Sequence, residues 1–398
     1  MSVFEELLKK HCPDGVEYKT LSEIGEFSNI GVDKKKVDGE KEILLLNFID
    51  VMKNMYIDKS IPKMVVTASD YKIEKCTIEE GDIFITPSSE TIDEIGFASV
   101  ITETIPNACY SYHIMRFRLF EYNMTTSIFI RYCFDSSFLR KQIRKSAQGI
   151  TRFGLTLNKW KSLKIPFPPI EVQKEIVRIL DEFTEKTNKL QELLHRETIL
   201  RKKQYEYYRN YLFNKIQSYN NVLLGDIADI SVGSKPEFIS DNKTEFEYIN
   251  AGTTNSGYTN NYNCLGDTVT TPSRGQGGIG YIGYQKNNFW LGALCYQIRS
   301  NKDYILTKYI YYYLKNNNEL ILKIKNSGGL PSVNRNDLIK INIKFPSLEY
   351  QKEIIDILDQ FDTLCNDITR GLPAEIELRK KQYEYYRDKL LTFKEKKK

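Results

Sequence analysis

The stretch RKKQYEYYR occupies residues 201–209 and recurs without change at residues 379–387. Upstream, EVQKEIVRILDEF at residues 171–183 is matched by EYQKEIIDILDQF at residues 349–361, with nine of thirteen positions identical. Both matches are separated by 178 residues, so neither copy has gained or lost a residue between its landmarks. The chain therefore contains an internal repeat whose best-preserved part has a fixed length.

The apolar residues of this repeat have helical spacing. They recur at steps of three, four and seven, which places them on one face of a helix with charged residues opposite. They are Ile176, Leu180, Phe183, Leu190 and Leu194 in the first copy, and Ile354, Leu358, Phe361, Ile368 and Leu372 in the second. A continuous helix over residues 171–213 would span roughly 65 Å. Its apolar face needs a partner, and the other copy is the expected partner. Gly371 and Pro373 predict a break in the second helix.

The segments between the helices are also related, but less closely. LSEIGEF at residues 21–27 resembles LGDIADI at 224–230, and GDIFITPS at 81–88 resembles GDTVTTPS at 266–273. We therefore predict an α+β protein in which two globular α/β domains are separated by two long antiparallel helices, as a pseudo-two-fold repeat. The predicted bounds are residues 1–165 for the first domain, 166–216 for the first helix, 217–343 for the second domain, and 344–398 for the second helix with a disordered basic tail.

Composition limits the class of protein. The chain has 398 residues, of which 41% are hydrophobic, and its net charge of +5 is compatible with a nucleic-acid ligand. No apolar run reaches the roughly 20 residues of a membrane span, and the N-terminus lacks a signal-peptide core, so we expect a cytoplasmic protein. The seven scattered cysteines and three distant histidines predict neither a disulfide framework nor a metal site.

Two short patterns resemble catalytic or cofactor-binding motifs, but neither has the surrounding sequence that such a motif needs. Gly275, Gly277 and Gly280 spell GxGxxG, but the following GYIGYQ predicts a strand where a dinucleotide fingerprint needs a helix. Pro13-Asp14 and Glu17-x-Lys19 superficially resemble a nuclease pattern, yet they are too close to flank one metal ion. We therefore expect no catalytic residue and no cofactor in this chain.

Two kinds of segment have the composition of a DNA-binding surface. In the segment 271–286, TPSRGQGGIGYIGYQK, Arg274 could bind a guanine edge, Gln276 could bind adenine, and the glycines allow close approach. The basic helices could bind phosphates. The candidate DNA-binding residues are Ser88, Ser89, Arg140, Lys141, Arg144, Lys145, Ser273, Arg274, Gln276 and Lys286. A mobile hairpin and a solvated charged face remain the alternatives.

The repeated helices carry a family resemblance. The pattern P-P-x-E-x-Q-K-E-I…I-L-D at residues 168–181, its copy from Pro346, the Tyr-rich helix ends and the N-terminal CPDGVEYKTLSEI resemble the specificity subunit of type I restriction–modification systems. The resemblance implies two target-recognition domains, each binding one half of a split double-stranded DNA target. It also implies docking of two methyltransferase subunits, which use S-adenosylmethionine, and of restriction subunits in systems that have them.

The same resemblance gives the helices a role as spacer and docking surface. The candidate partner-binding or spacer residues are Gln173, Ile176, Leu180, Tyr205 and Tyr208, with their copies Gln351, Ile354, Leu358, Tyr383 and Tyr386. Two other interpretations stay open at this point: a coiled-coil scaffold that binds only protein, and a fused methyltransferase or nuclease.

Overall fold

The structure is a computed structural model that describes residues 3–121, 124–216, 219–251, 253–275, 278–326, 329–366 and 371–396. The chain divides into two compact units. Unit 1 comprises Met1–Glu192 together with Glu377–Lys398, and unit 2 comprises Leu193–Ile376. Each unit therefore contains one globular domain and helical segments from both copies of the repeat.

The first domain precedes the long helix. Its elements are α1 (Val3–His11), β1 (Glu17–Thr20), α2 (Leu21–Ile24), β2 (Gly25–Ser28), β3 (Lys41–Leu46), α3 (Phe48–Lys53), β4 (Tyr56–Ile57), β5 (Met64–Ala68), α4 (Asp70–Lys75), β6 (Ile83–Ile85), β7 (Ser88–Ser89), a 3-10 turn (Ile92–Glu94), β8 (Ala98–Ile101), β9 (Ala108–Tyr110), β10 (Met115–Leu119), α5 (Met124–Asp135), α6 (Ser137–Ser146), β11 (Phe153–Gly154), α7 (Leu157–Ser162) and β12 (Lys164–Phe167).

The second domain follows the continuous helix α8 (Ile170–Asn214). Its elements are β13 (Asn220–Leu223), α9 (Leu224–Ile227), β14 (Ala228–Val232), β15 (Phe246–Ile249), β16 (Tyr258–Thr259), β17 (Thr268–Pro272), β18 (Gly283–Gln285), β19 (Trp290–Leu291), β20 (Cys295–Ser300), α10 (Thr307–Asn316), α11 (Glu319–Lys323), α12 (Arg335–Leu338) and β21 (Asn342–Phe345), and the chain ends with α13 (Leu348–Asn366) and α14 (Leu372–Leu391).

The sheets confirm that the two domains are copies. The main sheet of the first has the strand order β2-β10-β6-β8-β4, and the main sheet of the second has β14-β20-β17-β18. Each domain also pairs its entry strand with the strand before its helix, β1 with β12 and β13 with β21, both antiparallel. A further three-stranded sheet, β5-β3-β9 or β16-β15-β19, completes each domain. The segments recognised as related in sequence occupy equivalent strands.

The apolar face of each repeated helix packs mainly on its own domain. Ile176 and Leu180 are fully buried in a core that includes Phe117 and Trp160. Ile354 and Leu358 are fully buried in the corresponding core of unit 2. The expected partner, the other copy of the repeat, contributes Leu391 to the first core and Leu212 to the second, and the domain supplies most of the other side chains.

Contacts between helices are made by aromatic rings. In unit 1, Phe183 of α8 stacks on Tyr383 of α14, with ring centroids 5.8 Å apart. In unit 2, Phe361 of α13 stacks on Tyr208 of α8, with ring centroids 5.5 Å apart. Cys365 lies one turn after Phe361; burial raises the pKa of its thiol, and the charge of Lys202, which precedes Tyr208 on α8, opposes that rise. The helices of unit 2 therefore run antiparallel.

The break predicted in the second helix is present. The structure has separate helices α13 and α14, and Gly371, described immediately before α14, is not helical. Pro373 lies at the second position of α14, where its missing N–H costs no helical hydrogen bond. Ile368 lies outside the described residues.

The C-terminal tail corrects another expectation, because residues 394–396 are ordered. The N–H of Val16 donates to the carbonyl of Lys394, and the N–H of Lys396 donates to the carbonyl of Val16, both at 2.9 Å. The hydroxyl of Tyr18 donates to the carbonyl of Phe393 at 3.0 Å. The lysines predicted a solvated tail, but the backbone beside β1 has free N–H and C=O groups that bind the tail, and composition does not reveal them.

Removing residues 393–398 should therefore destabilise unit 1. The loss of these hydrogen bonds and of the Phe393 packing should cost about 2–3 kcal/mol, a lowering of about 5–10 °C in melting temperature. Calorimetry of the full chain measures it, with removal of residues 397–398 alone as the control. An unchanged melting temperature in the longer deletion would show that the tail contributes nothing.

Candidate nucleic-acid interface

The predicted DNA-binding residues lie at equivalent places in the two domains. After β6, Ser88 and Ser89 form β7, which pairs antiparallel with β11. After β17, Arg274 makes an isolated antiparallel bridge with Ser332. In both domains the chain leaves a central strand of the main sheet and joins a small second ladder, so the two stretches occupy the same edge of the fold.

The two serines of the first domain have different environments. Ser88 is half-buried, and its hydroxyl accepts a hydrogen bond from Nε of Arg152 at 3.2 Å. Ser89 is buried, and its hydroxyl donates to Oε2 of Glu94 at 2.5 Å. Ser88 is therefore the more accessible candidate, whereas the hydroxyl of Ser89 already serves an internal contact.

The basic helix α6 separates into two pairs of residues. The guanidinium of Arg140 donates to the carbonyl oxygens of Asp93 and Ile95, and burial lowers its pKa. Nε of Arg144 donates to Oδ1 of Asp93 at 2.9 Å. Lys141 and Lys145 are exposed. Arg140 and Arg144 thus hold the loop that follows β7, and the two lysines remain available to a phosphate.

In the second domain the predicted residues lie on a β-hairpin. β17 and β18 pair antiparallel from Thr268 with Gln285 to Thr270 with Gly283. Arg274 is exposed in the connecting loop, and Lys286 is exposed just after β18. Ser273 is buried at 5% exposure, with its backbone bonded to Leu294 and Val333.

Gln276 lies outside the described residues. Arg274 and Lys286 are thus the accessible members among the described residues of this predicted set, and a direct phosphate contact by Ser273 requires the loop to move.

A carboxylate anchors the helix in each unit, and the predicted set did not include it. Asp181 accepts hydrogen bonds from the hydroxyls of Tyr56 at 2.5 Å and Tyr132 at 2.6 Å. In unit 2, Asp359 accepts from the hydroxyl of Tyr312 and from Nζ of Lys308, both at 2.6 Å. Asp181 and Asp359 are 178 residues apart in the repeated L-D dipeptide, which was the available signal.

Six of the predicted partner-binding residues are internal. Gln173, Ile176 and Leu180, with their copies Gln351, Ile354 and Leu358, are all buried within their own unit. The side chain of Gln173 donates to the carbonyl of Pro168, and that of Gln351 donates to the carbonyls of Tyr304 and Pro346. These glutamines fix the start of the helix, and the six side chains pack inside their own unit, which fits a role in the spacer; their role in binding a partner stays a prediction.

The tyrosines of the repeat divide between inside and outside. Tyr205 and Tyr383 are half-buried beside Phe361 and Phe183, and the hydroxyl of Tyr383 is 2.8 Å from that of Thr184. Tyr208 and Tyr386 keep 37% and 42% of their surface exposed. Tyr207 and Tyr385, which the predicted set omitted, are the most exposed, at 65% and 62%.

The fold matches solved specificity subunits. The HsdS subunit from Thermoanaerobacter tengcongensis superposes with a TM-score of 0.58 at 16% identity, over 95% of this chain and 97% of that one. A chain from a structural study of assembly and conformational transition in the type I restriction–modification system gives a TM-score of 0.63 at 16% identity, over 95% and 98%. At this identity the match defines the fold.

Sequence comparison supplies the family. The family model described as type I restriction modification DNA specificity domain matches residues 13–199 and again 216–378. A putative type I specificity subunit of Mycoplasma pneumoniae is 33% identical over 253 residues, which are 60% of this chain and 90% of that protein. A putative specificity subunit of Haemophilus influenzae is 36% identical over 62% of this chain and 68% of that protein. The chain belongs to the type I restriction–modification DNA specificity family.

None of the described helices combines the length and apolarity needed to cross a bilayer. Within the described residues, no group of three or more His, Cys, Asp or Glu side chains could hold a metal ion.

The two pairs on α6 should respond differently to truncation. Arg140→Ala should lower the free energy of unfolding by about 1–3 kcal/mol, because it leaves the carbonyls of Asp93 and Ile95 without their donor. Lys141→Ala should change it by less than about 0.5 kcal/mol. Urea unfolding of both variants makes the comparison, and equal stability would show that Arg140 is not a structural residue.

Proposed function

We propose that this chain is the DNA sequence-specificity subunit of a type I restriction–modification complex. Each globular domain binds one half of a split double-stranded target, and the repeated helices set the gap between the halves. The observation that carries the proposal is the duplication itself. Two copies of one sheet order present chemically different residues at the same edge, Ser88 in one and Arg274 in the other. Two domains of one fold with unlike edges suit two unlike half-sites.

The reaction belongs to other polypeptides in this proposal. Two methyltransferase subunits dock on the repeated helices and use S-adenosylmethionine to methylate adenine, and a restriction subunit joins where cleavage occurs. The exposed tyrosines Tyr207 and Tyr385 support docking, because tyrosine is enriched at protein interfaces and the same nine-residue sequence surrounds both. The chain itself contributes binding and spacing rather than catalysis.

Methylome sequencing of the host with and without this gene tests the proposal. We expect one split motif to lose adenine methylation when the gene is deleted and to regain it on complementation. Methylation of DNA by the purified chain alone with S-adenosylmethionine would instead establish an enzyme. Absence of DNA binding at low salt, with methyltransferase subunits present, would favour a protein scaffold.

Arg274 provides a test of base recognition in the second domain. Arg274→Ala should cost about 1–3 kcal/mol on the cognate target and relax specificity at one base pair, as expected for a bidentate contact to guanine. Lys286→Ala should weaken binding to all sequences alike and reduce the salt slope by about one. Competition among single-base variants with the assembled complex distinguishes them, and a uniform loss in Arg274→Ala would contradict base recognition.

The spacer role has its own test. Inserting four residues near Leu190 should lengthen α8 by roughly 6 Å, which is one or two base pairs of duplex. Methylome sequencing should then show the same two half-sites with a longer gap. A four-residue substitution at the same place, which keeps the length, is the matched control. An unchanged gap in the insertion variant would rule out α8 as the ruler.

A further inference from the structure

Each domain carries a short closed loop beside the predicted DNA-binding stretch. Loop A comprises residues 148–154 in the first domain, and loop B comprises the described residues 326 and 329–332 in the second. The backbone of Gln148 and Gly154 exchanges two hydrogen bonds of 2.9 Å. The backbone of Asn326 and Ser332 exchanges the same pair at 2.8 and 3.2 Å. The same pair of backbone hydrogen bonds therefore closes both segments at their base, and residues 327 and 328 of loop B lie outside the described residues.

Both loops are attached to the stretch that already holds the candidate contacts. Phe153 and Gly154 of loop A pair with Ser89 and Ser88. In loop B, Ser332 bridges to Arg274, and the carbonyl of Pro331 accepts from the N–H of Gly275 at 3.1 Å. A duplex that contacts Ser88 or Arg274 would therefore lie within reach of the neighbouring loop.

Loop A is tightly turned at Gly149, and its Phe153 packs against the core of the first domain. Gly149 has φ +129°, in the region that favours glycine. A Cβ added there would lie 1.9 Å from the carbonyl oxygen of Arg152, so no larger residue fits. The turn holds Ile150 at the far end of the loop with a defined backbone conformation.

Ile150 has the largest exposed fraction among the large hydrophobic residues of the described chain. It is 94% exposed, and the next value is 65% for Tyr207. Leu330 in loop B is 58% exposed. Scattered exposed aliphatic residues are ordinary on protein surfaces. An aliphatic residue held out by a closed loop in both copies of a diverged domain, next to the same ladder, is a shared feature of the fold.

Cationic residues lie close in sequence to both exposed aliphatic residues. Arg152 follows Ile150 by two residues, and Lys145 lies on α6 shortly before loop A. Lys323 and Lys325 precede loop B, and both are exposed. An apolar side chain flanked by cations matches a DNA groove, where phosphates line the rim and apolar contact is made to base edges, such as the thymine methyl group, or to opened base steps.

We propose that loops A and B are a second DNA-contacting element in each domain, in which Ile150 and Leu330 pack against bases inside a groove. The neighbouring cations hold the phosphates on either side. This inference rests on the proposed DNA-binding function and adds to it a contact that is apolar and therefore insensitive to salt.

The experiment measures binding of the complete complex, with its methyltransferase subunits, to duplex DNA that carries the motif found by methylome sequencing. Ile150→Ala and Leu330→Ala are compared with Val37→Ala and Leu265→Ala, which truncate aliphatic residues of 52% and 51% exposure in the same two domains. We expect each loop variant to bind about tenfold more weakly or worse, with an unchanged salt slope. Both controls should match the parent.

A parallel arm identifies the position on the DNA. A photo-crosslinking amino acid at position 150 should label bases in one half-site, and the same group at position 330 should label bases in the other. Melting temperatures should not change, since both side chains are exposed, so a loss of binding would not reflect misfolding.

The outcomes separate the two levels of the argument. If the parent complex binds its target, but the loop variants match the controls and no base is labelled, the inference about the loops is overturned and the proposed function stands. If the truncations reduce the salt slope instead, the loops contact phosphates and the apolar contact is wrong. If the parent complex binds no DNA, the proposed function itself fails.

Discussion

Hydrogen bonds to one carboxylate hold the repeated helix on its domain in each unit, and in unit 1 they join the helix to both a strand and a second helix. Asp181 lies on α8 and binds the hydroxyls of Tyr56, from β4, and Tyr132, from α5. The oxygen–oxygen distances of 2.5 and 2.6 Å are those of charge-assisted bonds, which are stronger than neutral ones. Burial and the carboxylate together raise the pKa of both phenols, so they remain donors throughout the physiological range. Without this acceptor both phenols would lose their carboxylate partner, and the hydroxyl of the buried Tyr132 would keep only Thr184 at 3.4 Å.

Unit 2 keeps the carboxylate and changes its donors, both of which lie on α10. Asp359 again accepts from a tyrosine of the helix after the main sheet, Tyr312, but its second donor is the ammonium of Lys308. The Lys308–Asp359 ion pair is partly exposed, so solvent screens it and its net contribution is smaller than its 2.6 Å distance suggests. The repeated helix thus supplies a constant acceptor, while each domain supplies its own donors. This arrangement allows the domains to diverge without moving the helix.

Sequence patterns predicted the repeat, the two domains and the long helix, because these depend on periodicity and register that are visible in the chain. They did not predict which element of the fold packs against a given apolar or charged face. The spacing of Ile176 and Leu180 indicated burial correctly but not its partner, since periodicity is the same for a face that meets a sheet or a helix.

Arg140 and the C-terminal lysines show that charge in the sequence likewise does not reveal which group a basic segment contacts. A basic run predicts phosphate binding or solvation, but backbone carbonyls of Asp93 and Ile95 compete for the guanidinium, and the edge of β1 competes for the tail. The small residues at 147–149 indicate a loop, but the exposure of Ile150 could not be predicted, because a single isoleucine has no sequence signature. Base recognition by Arg274 stays a prediction.

The identity of the two RKKQYEYYR segments exceeds what internal packing requires. Tyr205 and Tyr208 meet Phe361, and their copies Tyr383 and Tyr386 meet Phe183, so these contacts account for two positions. Tyr207 and Tyr385 project into solvent with 65% and 62% exposure, where substitutions ordinarily cost little stability. The two domains next to these segments have diverged in sequence, so a recent duplication does not explain why the segments are identical. Internal packing therefore does not explain the identity at these exposed positions, and this supports the proposed docking of two copies of one partner.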